Sequence, residues 1–96
     1  MSVCLGMLTA QLMIPESHSL KDRRSVVNSL KEKIRNRCNV SIADIGPDNV
    51  WQRAELHFAC VAETENIVDG TLRKVIGLID DEQRCELLNP RIEYYA

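Results

Sequence analysis

The chain has 96 residues and a mass of 10.9 kDa, which leaves room for one domain of ordinary size and not for two. Apolar residues make up 45% and charged residues 27%, a balance that suits a small globule and excludes an extended disordered tail. Formal net charge is −2, no apolar run reaches the ~20 residues of a membrane span, and the start Met1-Ser2-Val3 does not read as a signal peptide, so the expectation is a cytoplasmic protein.

Residues 3–14 read as a long strand. Cys4, Gly6, Leu8, Ala10, Leu12 and Ile14 form one apolar or small face, and Val3, Leu5, Met7, Thr9, Gln11 and Met13 form a mixed one. Pro15 ends it, because it cannot donate to a ladder. Ser19 and Asp22 then have the spacing of a capping box, opening a helix expected to run to about Arg37. Leu20, Val27, Leu30, Ile34 and Cys38 share one side of that helix, with Val26 at its edge. Asn39 to Ile45 reads as a shorter strand, and Gly46-Pro47-Asp48-Asn49 is turn chemistry.

Arg53 to Val61 alternates cleanly, with Ala54, Leu56, Phe58 and Cys60 on one side and Arg53, Glu55, His57 and Ala59 on the other. Thr64 is placed to cap a second helix, whose stripe is Val68, Leu72, Val75, Ile76 and Ile79. Asp80 and Asp81 oppose the macrodipole at a C-terminus, so this helix is expected to close before Asp80. Cys85 to Tyr95 reads as a last strand, and Pro90 assigns it an edge position or a bulge. The order βαββαβ with two right-handed crossovers gives an α+β, ferredoxin-like sandwich. Its sheet has four antiparallel strands in the order 4-1-3-2, with both helices on one face and the other face open.

Fold alone warrants no activity. The loop after the first strand, Pro15 to Ser19, lacks the glycines of a phosphate cradle and the paired cysteines of a metal chaperone. The two middle strands offer a single aromatic, Phe58, on the core side, which argues against base stacking on the sheet. Cys4, Cys38, Cys60 and Cys85 have no C-x-x-C spacing and read as reduced, packed thiols, so neither metal nor cofactor is expected. His18 and His57 each have a nearby carboxylate but no positioned partner evident in the sequence. Both read as exposed polar residues, and no catalytic set emerges.

Charge is more informative by position than in sum. Ser17 to Ser41 carries seven basic and two acidic residues, a segment at +5 in a chain whose remainder is −7. At 100° per residue, Lys21, Arg24, Asn28, Lys31 and Arg35 fall within an arc of about 80° beside the apolar face, a stripe suited to a phosphate backbone. The plainer alternative is a solvated face. Arg23 falls inside the apolar sector, where its stem snorkels past the core edge or its guanidinium pairs with a buried carboxylate or an anion.

His18-Ser19-Leu20-Lys21-Asp22-Arg23-Arg24-Ser25-Val26-Val27 resembles the H-S-L-K-x-[KR]-R-x-V signature of the YlxP-like proteins. Arg37 to Ala43 and Trp51-Gln52-Arg53-Ala54 resemble two further stretches, usually R-F-N-V-S-x-A and W-Q-R-A, with Cys38 in place of the Phe. The resemblance implies a small bacterial protein with a ferredoxin-like fold. Genes of this family often lie among those for translation initiation and ribosome maturation, which implies an RNA- or ribosome-linked role. The family has no established catalytic residues to carry over, so the protein is expected not to be an enzyme. Trp51 reads as a core or self-interface contact, with a partner or base-stacking contact as the alternative. A second expectation follows from the half-apolar register of the first strand. Leu5 and Met7, with Trp51, would be covered by a second copy in a homodimer.

Overall fold

A computed structural model describes residues 2–47 and 49–95. Six elements follow in the order β1 (Cys4–Met13), α1 (Leu20–Arg37), β2 (Ser41–Gly46), β3 (Arg53–Ala62), α2 (Glu65–Asp80) and β4 (Glu86–Tyr95). The strands form one antiparallel sheet in the order β2-β3-β1-β4, the topology expected from the sequence. Asp48 of the expected turn lies outside the described residues.

The even register of β1 makes the core. Leu8, Ala10, Leu12 and Ile14 are buried with Ala54, Leu56, Phe58 and Cys60 of β3, under Val27, Leu30 and Ile34 of α1 and Val68, Leu72 and Val75 of α2. Cys38, the smaller residue at the usual Phe position, is buried at the foot of α1. All four cysteines are free thiols. Gly6 marks the closest approach of α2 to the sheet, since a Cβ there would collide with Val68 Cγ1 and press on Leu72 Cδ1. Gly6→Ala should therefore cost about 1–3 kcal/mol in urea unfolding, the usual penalty for overpacking a tight core.

Both helix starts are capped as their residues suggest. The Ser19 hydroxyl accepts from the Asp22 N–H at 3.0 Å, and the Thr64 hydroxyl from the Ile67 N–H at 3.2 Å. The Asp22 carboxylate reaches back to the His18 N–H rather than to the cap residue itself.

The bounds of β2 and α2 differ from expectation for physical reasons, while β1, β3 and β4 shift by no more than one residue at either end. The Cys38 N–H bonds to the Ile34 carbonyl as the cap of α1 and the Val40 N–H to the Cys38 carbonyl in a tight turn, so residues 38–40 connect the helix to β2, which begins at Ser41. Its far end reaches Gly46, past a bulge that leaves Ile45 as the extra residue; Gly46 has φ 107°, a left-handed conformation suited to glycine. α2 does not close before Asp80. It runs through Asp80 with Asp81 as its cap, because Leu78 and Ile79 in the last turn are buried. Burying such a side chain contributes about 1.5–3 kcal/mol, against at most about 1 kcal/mol of unfavourable dipole interaction for an exposed carboxylate. Pro90 sits on an edge strand and beside a bulge at once: Thr9 pairs with Arg91 and Gln11 with Leu88, and Asn89 takes the left-handed φ of 44° that its short polar side chain tolerates.

Candidate functional site

One end of the molecule gathers most of the motif residues. β1 ends there, α1 begins there, and the β2–β3 hairpin turns there, with Met13 opposite Arg53. The Ile14 N–H donates to the Gln52 carbonyl at 2.7 Å, and the Gln52 side-chain amide donates to the carbonyl of buried Ser17. Arg23 lies at the centre. Its side chain is only 3% exposed, and its Nε donates to the Arg53 carbonyl at 2.8 Å. Its Nη1 and Nη2 donate to the two Asp44 oxygens, each at 3.1 Å. One guanidinium thus joins α1, β2 and the start of β3, and the pairing alternative for Arg23 is the one the fold adopts.

Asp44 is the residue that sequence reasoning left unnamed. A signal was present: Ile42 and Asp44 share the core-facing register of β2, opposite Phe58 and Leu56, so a carboxylate there needs a cation. Burial pushes the Asp44 carboxyl up. Hydrogen bonds from Arg23 and the Gly46 N–H, with the charges of Arg23 and Lys31, outweigh it and hold the group below its ordinary range.

The same charges locate the basic stripe. Lys31 acts on Asp44 of edge strand β2, whereas on the other flank of α1 Ser29 accepts from Arg84 at 3.2 Å and Lys33 acts on Glu82. The stripe therefore runs down the flank of α1 beside the free edge of β2. Lys21, Arg24, Asn28 and Arg35 are exposed and Lys31 is half-buried. Among the described residues, none of the four cations of the stripe is in an ion pair, while Arg23, Arg73, Arg84 and Arg91 all are.

The open sheet face divides in two. Its middle is polar: His57 Nε2 lies 2.7 Å from Glu55 Oε2, Gln11 donates to the same carboxylate, and Arg91 pairs with Glu93. The His57 contact, before that of Gln11, holds the Glu55 carboxyl below its usual range. Its other end is apolar. Leu5, 37% exposed, sits between Val61 and Tyr95, and Met7 lies beside Ala59 in an open groove of about 300 Å³ shared with Ala43, Ile45 and His57. Trp51 is not part of this patch. Leu5 and Met13 are eight residues apart on β1, about 27 Å, and Trp51 lies beyond the Met13 end. Nor is Trp51 a core residue, at 45% exposed. The self-interface set of Leu5, Met7 and Trp51 is thus split between opposite ends of the domain.

Among the described residues no three His, Cys, Asp or Glu side chains come together as a metal-binding group, and no helix is long and apolar enough to cross a membrane. These features define a ferredoxin-like α+β domain whose motif residues build a hydrogen-bonded corner and whose row of cations lines one helix. The chain belongs to the family described as Protein of unknown function (DUF503), which matches residues 5–92. It is 29% identical over 91 residues to the uncharacterized protein YlxP of Bacillus subtilis (strain 168), covering 95% of this chain and 99% of that one. The de novo designed protein Foldit4 superposes with a TM-score of 0.57 over 97% of both chains at 9% identity, a likeness of fold alone.

Proposed function

We propose that the protein is a non-enzymatic RNA- or ribosome-associated factor that binds phosphates through Lys21, Arg24, Asn28, Lys31 and Arg35. The observation that carries this reading is the row of four cations along one helix flank, in no ion pair among the described residues, in a chain of net charge −2. Cations engaged in no ion pair remain available to neutralise successive phosphates, and Asn28 adds a neutral donor between them. The arrangement around Arg23 supports the same reading, because it fixes the start of α1 against the sheet and so presets the stripe. The test is co-sedimentation of the full chain with ribosomal subunits at low salt. Retention that moderate salt abolishes supports the reading; a protein that never leaves the supernatant contradicts it.

A second reading is favoured by the apolar end of the open face, where Leu5, Val61 and Tyr95 are all exposed. There the protein is a homodimer closed over Leu5 and Met7. Replacing both with Lys should then give a folded species of half the mass by light scattering. A wild-type chain that is monomeric at micromolar concentration removes this reading.

A further inference from the structure

Trp51 is left unexplained by packing. It is a large, amphipathic side chain, nearly half exposed, on a hairpin that other residues hold firmly. Its two following neighbours are fastened to the β1–α1 connection and to α1: Gln52 to Ile14 and Ser17, and Arg53 to Arg23. The hairpin it stands on joins β2, the strand flanked by the basic stripe, and it turns at the end where Lys21 and Arg24 begin that stripe. An exposed tryptophan therefore stands at the same end of the domain as the start of a row of cations about 21 Å long.

Resting on the phosphate-binding reading above, we propose that the RNA taken by this site is an unpaired strand, with its backbone along α1 and one base stacked on Trp51. The chemistry distinguishes it from a duplex. A regular RNA helix keeps its base faces stacked on one another and presents phosphates and 2′-hydroxyls, so it engages the cations and leaves the indole idle. An unpaired base has a free π-face, and a cation track ending in an aromatic platform is the combination that holds single strands without reading their sequence. The firm anchoring of the hairpin matters here, since a stacking surface already fixed in place loses little entropy on binding.

Trp51 is the single tryptophan of the chain, so tryptophan emission reports this residue alone. The experiment titrates the full chain with an oligouridine of about a dozen nucleotides and with an RNA duplex of equal length, following emission and filter binding together. The oligouridine should quench Trp51 along the same isotherm that filter binding gives, and the duplex should bind without quenching. Trp51→Ala should weaken oligouridine binding about tenfold or more, Trp51→Phe much less, and neither should alter duplex binding. Equal binding of both RNAs with unchanged emission, lost on K31E/R35E, overturns this proposal and leaves the phosphate-binding reading standing. Failure of both RNAs to bind the wild-type chain overturns both. A blue shift of emission with protein concentration in the absence of RNA also overturns it, by making the indole a contact between copies.

Discussion

Arg23→Ala should lower the unfolding free energy by about 3 kcal/mol, the low end for breaking a buried pair, because the Asp44 side chain retains 24% exposure. For a domain of this size such a loss lowers Tm by more than about 10 °C. The cost arises in three places: an uncompensated carboxylate at Asp44, an unmet Arg53 carbonyl, and the space left by the guanidinium in the corner between α1 and the sheet. Arg23→Lys should recover little, since one ammonium cannot serve two carboxylate oxygens and a carbonyl in the planar fork that Arg provides. Chemical denaturation of both variants and of Asp44→Asn checks this. If Arg23→Ala unfolds within about 0.5 kcal/mol of wild type, the pair is not what holds the corner.

The same pair sets a pH dependence whose sign follows from its direction. The Asp44 carboxyl is held below its ordinary range in the folded chain, so its contribution is complete above the unfolded value of about 3.9 and is lost as pH falls through the folded one. Glu82, which Arg84 holds down to about 2, adds loss in the same direction below its unfolded value of about 4.3. Urea midpoints of the wild type should therefore fall between about pH 5 and pH 2, and Arg23→Ala should fall less steeply over that window because the Arg23 share of the Asp44 shift is gone while the Glu82 and Glu55 parts remain.

The layered fold was readable because each element announces itself locally. Period-2 alternation in β1 and β3 named the core face residue by residue, and Ser19 and Thr64 marked both helix starts. The angular position of Arg23 marked it as unusual and left two outcomes, a snorkelling stem or a buried partner. The identity of that partner was not readable, because Asp44 is 21 residues away and is brought to Arg23 only by the packing of α1 over β2. Gln52 was hidden for the same reason, since its contact with Ser17 spans 35 residues. The close of α2 failed as a local inference because tertiary burial of Leu78 and Ile79 outweighed the dipole rule. The core alternative for Trp51 rests on hydrophobic size, whereas the hairpin carries the residue past the end of the sheet and leaves it exposed.

Reversing Lys31 and Arg35 to Glu should produce the largest functional effect. Both lie outside the apolar stripe of α1, so the fold should change stability only slightly. Two charge-assisted phosphate contacts are replaced by repulsion, and at about 1.5 kcal/mol each their loss alone weakens RNA binding about a hundredfold. Glu at position 31 also faces Asp44, which adds a local like-charge contact, so circular dichroism of the variant accompanies the binding measurement. Arg24→Ala, which leaves that neighbourhood alone, should weaken binding in the same direction by a smaller factor.

Counterion release gives the most direct reading of the claim that the four cations contact phosphates. Each contact contributes about 0.7–0.9 to the slope of log affinity against log salt, so four predict a slope near −3. The decisive measurement is that slope for the wild type and K31E/R35E on one ribosomal RNA fragment across a salt series. A wild-type slope of about −3 that becomes shallower by about 1.5 in the variant is the predicted result; binding that is insensitive to salt and unchanged by the double reversal would contradict it.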